Sequence, residues 1–146
     1  MFPPSPTSQP SPIFTGIWSS EGNALHVPKG TVTEIPNLIL DFTVESGEDA
    51  YFIFTSVAQL NSVSGQFGWP AFLQFTFRLD GVTPNNAFTN FYVPEVNTDN
   101  FSSPVTFFYT LFDFTAGTYN LTVGVYSTSD AASIFLSRLM VQTFNS

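Results

Sequence analysis

Residues 72–82 have the sequence FLQFTFRLDGV, in which large apolar side chains occupy every second position. A period of two is typical of a β-strand that buries one face. The dipeptide Asp80-Gly81 follows, and it favours the positive φ angles of a tight hairpin turn. The segment therefore predicts a strand with Leu73, Phe75, Phe77 and Leu79 on one face and a turn at its end.

Five further segments have the same character, and turn residues separate them. They are NLILDFTVES (37–46), AYFIFTSVAQL (50–60), PVTFFYTLFDFT (104–115), GTYNLTVGVYSTS (117–129) and ASIFLSRLMVQTF (132–144). No stretch of about 11 residues keeps a helical period with caps. Short strands with regular turns predict an all-β antiparallel sandwich.

The composition indicates a surface that is partly covered. The chain has 146 residues, which is most simply one domain, and only 10% of them are charged. An ordinary globular domain is about 25% charged. Because 18 residues are Phe, we expect other subunits to cover part of the outer surface.

The charges exclude several classes of function. The net charge is −8, and the cations are Lys29, Arg78 and Arg138. Nucleic-acid binding needs basic footprints, so no nucleic acid is expected as a partner.

No window has the roughly 18 apolar residues of a membrane span, and no membrane is expected as a partner either. There are no cysteines, which excludes disulfides and thiolate metal sites.

The N-terminal segment differs from the rest of the chain. Five of the 11 prolines lie in the first 12 residues, and such a segment favours extended polyproline II. An apolar group, Ile13, Phe14, Ile17 and Trp18, follows. We predict a connector arm over residues 1–16 and a head over residues 17–146 that folds without the arm. Ile13 and Phe14 are expected to dock on another copy, whereas Ile17 and Trp18 are equally compatible with packing on their own head.

The order of the strands over residues 31–144 resembles that of the C1q/TNF-like family. The shared features are an aromatic strand (50–60), a strand that ends in a charged-residue-Gly turn (72–82), a two-strand unit broken by a Gly turn (104–129) and an apolar last strand (132–144). The resemblance implies a jelly roll of about ten strands and a tight homotrimer. The collagen stalk of many family members is absent, and the proline-rich arm stands in its place.

The arm resembles the connector of bacterial flexible endospore appendages. In that family an Ile-Pro-x-x-Thr-Gly motif docks into the next trimer. Pro12, Thr15 and Gly16 match the motif, and Ser11 replaces its leading Ile. The resemblance implies an inter-subunit connector formed by Pro12, Ile13, Phe14, Thr15, Gly16, Ile17 and Trp18.

A trimer would account for strands that are apolar on both faces. The predicted trimer interface consists of Tyr51, Ile53, Phe135, Leu139 and Val141. The opposite face is equally apolar, and it is the alternative: Phe52, Phe54, Ile134, Leu136 and Met140.

Catalytic chemistry is not expected, and neither is a cofactor or a metal. His26 is the only histidine, and a lone histidine is more often structural than catalytic. Ser19 and Ser20 are interpreted as loop serines, and Asp41, Asp80 and Asp113 as solvated. Two acidic groups have oxygens for calcium, but both are interpreted as solvated loops. They are Glu45, Glu48 and Asp49, and Asn97, Asp99 and Asn100.

The sequence therefore predicts a structural subunit of an extracellular protein fibre. Trimeric heads would couple head-to-tail through their arms, and the fibre would be a spore appendage. The N-terminus lacks the pattern of a secretory signal, so release by lysis or assembly onto a surface is expected. The alternatives are a phage capsid decoration or head-fibre protein, and a soluble C1q-like head that binds a ligand. The expected partners are copies of the chain itself and a surface anchor protein.

Overall fold

The structure is a computed structural model, and it describes residues 13–61, 72–92, 100–128 and 132–145. Nine β-strands form within those ranges. They are β1 (Ile13–Glu21), β2 (Leu25–Val27), β3 (Thr33–Val44), β4 (Asp49–Asn61), β5 (Phe72–Leu79), β6 (Phe88–Tyr92), β7 (Asn100–Leu111), β8 (Gly117–Ser127) and β9 (Ala132–Asn145).

The strands form two antiparallel sheets. Sheet A has the order β1-β9-β4-β7, and β2 also pairs with β9. Sheet B has the order β3-β8-β5-β6. Most connections cross from one sheet to the other, and this order is that of a jelly roll built from two Greek keys. The predicted all-β jelly-roll sandwich is confirmed.

Each of the six predicted strand segments is a strand in the structure. The pattern did not mark β1, β2 or β6. The turn at the end of β5 is confirmed as well: φ is 51° at Asp80 and 80° at Gly81. Leu79 and Val82 exchange both backbone hydrogen bonds across this turn, at 2.8 and 3.0 Å.

The core lies between the sheets, and phenylalanine supplies its largest fully buried side chains. Phe52 of β4 meets Phe77 of β5 at 5.6 Å between ring centroids, and Phe54 meets Phe75 at 5.3 Å. These four rings are fully buried, and the burial of each ring contributes about 1.5–3 kcal/mol to the free energy of folding. Part of the phenylalanine content therefore serves the interior of one chain.

Strand β1 begins before the predicted boundary between arm and head. Residues from Ile13 onward pair with β9, and Ile13 lies opposite Asn145. The expected boundary between residues 16 and 17 falls inside β1, so residues 13–16 belong to the sheet. Residues 1–12 of the predicted arm lie outside the described residues.

Within the described ranges, no helix is long and apolar enough to cross a membrane.

Candidate functional site

The outer side of sheet A carries many apolar side chains, and one polar row, Glu21–Arg138–Thr55–Thr106, runs between them. One register row runs across four strands, from Ser19 through Met140 and Ile53 to Phe108. The row beside it contains Ile17 and Tyr51. We call this surface the apolar face, and its apolar members are Phe14, Ile17, Tyr51, Ile53, Val57, Phe108, Phe135, Leu136 and Met140.

Several members of the apolar face protrude into solvent. Phe14 is 66% exposed, Ile17 63% and Leu136 73%. Phe108 is 53% exposed, and its ring stacks on that of Tyr51 at 5.9 Å and 7°. Single exposed apolar residues are ordinary, but a contiguous set marks an interaction surface.

The apolar face carries little charge. Glu21 and Arg138 lie on it and form an ion pair at 3.1 Å. Both side chains are largely exposed, so the pair contributes little to stability. The outer side of sheet B carries the Arg78–Glu34 pair at 3.1 Å and an Asn120–Asp41 hydrogen bond at 2.9 Å, together with exposed apolar side chains such as Ile39 and Phe88.

A depression interrupts the apolar face over β9. Its volume is ≈ 260 Å³, and its lining includes Ser19, Ile53, Thr55, Arg138 and Met140. The face is therefore not flat, and it offers a recess that a protruding apolar side chain can enter.

The predicted trimer residues do not share one face. Leu139 and Val141 are buried between the sheets, whereas Tyr51, Ile53 and Phe135 are half-exposed on the outer side. The prediction that all five residues form one surface is wrong, because the alternation of β9 breaks at a β-bulge.

The bulge lies at Leu136. The register with β4 shifts between Thr55 and Val57, and Leu136 has a φ of 55°. An extra residue in one strand reverses the facing of every residue after it. Phe135 and Met140 therefore both point outward. The alternative face was also mixed, because Phe52, Phe54 and Ile134 are buried while Leu136 is exposed.

The predicted connector residues lie in β1, except Pro12, which is outside the described residues. Trp18 packs on its own core and meets Phe42 at 6.1 Å. Phe14 contacts Phe144 at 6.3 Å but stays exposed, as does Ile17. Only the backbone of Ile13 is described. Of the two alternatives, packing on the own head holds for Trp18 and does not hold for Ile17.

Gly16 and Thr15 have roles within the head. A Cβ added at Gly16 would lie 2.4 Å from an atom of the Trp18 ring. The absence of a side chain at Gly16 therefore leaves room for the indole. The hydroxyl of Thr15 lies 2.8 Å from that of Thr143 and donates to Glu48 Oε2. Through these contacts, Thr15 and Gly16 help to hold β1 on its own domain.

The acidic group at the start of β4 is not a solvated loop. Glu48 and Asp49 are buried, and only Glu45 is exposed. Glu48 Oε1 accepts from the Glu45 amide at 2.6 Å, and Asp49 Oδ1 accepts from the Asp113 amide at 2.9 Å. The solvated interpretation is wrong for Glu48 and Asp49, because both carboxylates hold backbone amides.

The other acidic group gives no site that can be described. Asn97 and Asp99 lie outside the described residues, and only the backbone of Asn100 is described. Among the residues that the structure describes, no three His, Cys, Asp or Glu side chains come together as metal ligands would.

The remaining polar candidates are dispersed over the fold. His26 is exposed on β2 opposite Ser133. Ser20 donates to the carbonyl of Asn37, at 3.2 Å, and Asp80 Oδ1 accepts from the amide of Asn120 at 2.8 Å. The structure brings none of Ser19, Ser20, Asp41, Asp80 and Asp113 into contact with His26.

Comparison with known proteins adds to the description of the fold. No protein-family model matches the chain, and no curated protein matches its sequence. Among solved structures, dimeric latent PorU from Porphyromonas gingivalis is similar over 99% of this chain at 12% identity and a TM-score of 0.45. The chain spans only 14% of that protein.

Two smaller domains are similar over nearly their whole length. A family 35 carbohydrate binding module from Clostridium thermocellum is similar at 10% identity and a TM-score of 0.32, over 94% of this chain and 100% of that one. The CBM22-1 xylan-binding domain of Paenibacillus barcinonensis Xyn10C is similar at 14% identity and 0.32, over 95% and 99%. Matches this distant carry no function to the chain, and nothing in the sequence comparisons supports membership of the C1q/TNF-like family.

Proposed function

We propose that the protein is a non-enzymatic structural subunit of an extracellular fibre, and that assembly begins with a homotrimer formed through the apolar face. The observation that carries the proposal is the group of exposed apolar side chains on the outer side of sheet A, among them Phe14, Ile17, Phe108 and Leu136. The charges described on that side, Glu21 and Arg138, pair with each other. Copies of the same chain that bury the apolar face remove it from water, and this is the main driving force of association.

The size of the apolar face fits this role. Four strands about 4.8 Å apart, each with roughly eight residues, give the outer side of sheet A, polar residues included, an area of about 500 Å². This is of the same order as the roughly 800 Å² that each partner buries in a stable complex. The recess beside Ile53 and Met140 adds shape to which a protruding side chain such as Leu136 of a neighbouring copy can fit.

Coupling between trimers is assigned to the residues that precede β1. They are rich in proline and serine, and twelve residues in polyproline II would extend about 37 Å. A pre-extended arm loses little entropy when it docks, and three arms per trimer add avidity. A head-to-tail contact of this kind does not close, so it gives a filament.

Trp18 is not available as a plug, because it is part of its own core. Phe14 and Ile17 are exposed members of the apolar face, so the coupling between trimers is left to residues 1–12. The spore surface as location, a surface anchor as second partner, and the virion alternative stay predictions.

Electron microscopy of the purified protein tests the proposal. Wild type is expected to form strings of particles. A variant that lacks residues 1–12 keeps all of β1 and is expected to form isolated particles of the same size. Phe14→Ala removes an exposed ring from the apolar face, and it should shorten the strings because fewer trimers form.

The control is Phe88→Ala, which removes a similarly exposed ring from sheet B and should leave the strings intact. Wild type without strings would contradict the fibre, and strings that survive the deletion of residues 1–12 would contradict the arm as connector.

A further inference from the structure

The outer side of sheet B carries a second surface, at the end of the sheet where β5 begins. Phe72, Gln74, Asn90, Tyr92 and Tyr126 lie there on neighbouring strands, and we call them the aromatic–amide patch. The register places Phe72 opposite Tyr92, and Gln74 between Asn90 and Tyr126. All five point away from the core, because Leu73 and Phe75 between them are buried.

The ring of Phe72 contacts both of the other rings of the patch. The centroid of Phe72 lies 5.6 Å from that of Tyr92 and 6.3 Å from that of Tyr126. Tyr92 is 60% exposed, and the other two rings are half-buried. The contacts restrict the rings before any ligand arrives, which lowers the entropy lost on binding.

The two amides of the patch are also held in place. Gln74 Nε2 donates to Asn90 Oδ1 at 3.0 Å, and Asn90 Nδ2 donates to the Tyr92 hydroxyl at 3.3 Å. Each side-chain amide has two N–H donors and an acceptor oxygen, and this relay uses one donor of each. The remaining polar atoms lie beside the rings on the same surface.

We propose that the aromatic–amide patch binds a neutral polysaccharide. A pyranose ring has an apolar face of C–H groups that packs on an aromatic ring, and a rim of hydroxyls that exchanges hydrogen bonds with amides. The patch offers both kinds of group side by side. The five side chains that form it are uncharged, and the charged side chains of β5 and its neighbour β3, Arg78 and Glu34, neutralise each other farther along the sheet. An uncharged sugar chain therefore matches the patch better than an anionic one.

The site is independent of the proposed assembly. The patch belongs to sheet B, and the apolar face belongs to sheet A. Subunits that associate through sheet A leave the patch on the outside of the assembly, where several copies would bind one polymer with avidity.

Affinity electrophoresis in native gels tests the proposal. The probes are hydroxyethylcellulose, soluble xylan and soluble starch, each cast into a separate gel. The wild-type protein should be retarded in at least one gel relative to a gel without polysaccharide. The double variant Tyr92→Ala/Tyr126→Ser should bind that polysaccharide with an affinity at least about tenfold lower, because two stacking surfaces are lost. Its retardation in the gel should be correspondingly weaker.

Two matched variants define the result. Tyr92→Phe keeps the ring and should keep the retardation. Phe112→Ala removes an exposed ring that belongs to neither surface, and it should keep the retardation as well. Thermal melting checks that each variant is folded. Wild type without retardation in any of the three gels would overturn the proposal. So would a double variant that is folded and retarded as strongly as wild type.

Discussion

Gly16 lies beneath the indole of Trp18, and this contact decides how β1 joins the core. A methyl group at position 16 would lie 2.4 and 2.6 Å from two carbons of that ring, so Gly16→Ala must displace the indole from Phe42. Overpacking of this kind costs about 1–3 kcal/mol. We expect a lower melting temperature and a shift of the tryptophan emission.

Gly117→Ala is the matched control for that substitution. Its added Cβ would meet only Tyr119, at 3.8 Å, which is an ordinary contact. It should therefore leave the melting temperature nearly unchanged. An equal decrease of the melting temperature in the two variants would show that the Gly16–Trp18 contact does not account for the effect of Gly16→Ala.

Leu136 combines a left-handed backbone with an exposed apolar side chain. Its φ is 55°, and 73% of its surface is exposed. A left-handed conformation costs a non-glycine residue roughly 1–2 kcal/mol, and asparagine tolerates it better. Leu136→Asn should therefore maintain or raise the free energy of unfolding of the head while it weakens assembly.

Urea unfolding and light scattering measure the two effects of Leu136→Asn separately. A variant that unfolds more easily would show that Leu136 packs on its own head. A variant that keeps full assembly would show that Leu136 does not reach a neighbour.

At the residue scale, much of the core was predictable because alternation follows from strand geometry. Phe75, Phe77, Leu121 and Val123 point inward as the pattern predicts. The bulge at Leu136 was not predictable, since leucine carries no signal for a positive φ. Two residues of the predicted trimer face, Leu139 and Val141, were therefore placed on the wrong side.

Strand β1 is the element that separates the arm from the head. It pairs with β9 from Ile13 to Glu21 and contributes Trp18 to the core. Deletion of residues 1–12 leaves these contacts intact, so the melting temperature should stay nearly unchanged. Deletion of residues 1–18 removes the pairing and the indole and should cost roughly 2–5 kcal/mol.

Circular dichroism of the two deletions measures this difference. Equal melting temperatures would show that β1 is dispensable and that the boundary predicted after residue 16 is sound. A large loss from the shorter deletion would show that residues 1–12 pack on their own head.

At the element scale, β1 was missed because its partner lies at the other end of the chain. The preceding prolines indicate an extended arm, and no local pattern shows where such an arm ends and a paired strand begins. The segments of β3, β4, β5, β7, β8 and β9 were predictable because each carries its own alternation or its own aromatic run. The recess and the aromatic–amide patch depend on contacts between strands, which the order of residues along one strand does not contain.

On the scale of the whole molecule, the two outer sides of the sandwich should respond differently to charge. Ile17 lies on the apolar face and Ile39 on the outer side of sheet B, and they are 63% and 56% exposed. Ile17→Lys would place an unpaired charge in a buried interface, which is costly. Ile39→Lys would place the same charge in solvent.

Sedimentation velocity of the two lysine variants measures their association. Ile17→Lys should sediment as a smaller species than wild type, and Ile39→Lys should sediment like wild type. Dissociation by Ile39→Lys alone would assign the interface to sheet B.

The mass of the head in solution tests self-association most directly. The sample is the chain without residues 1–12, so that coupling through arms does not add to the mass, and the method is light scattering at micromolar concentration. A homotrimer predicts about 45 kDa, three times the roughly 15 kDa of one chain without residues 1–12. A mass near 15 kDa would contradict it, because the apolar face would then stay open to water.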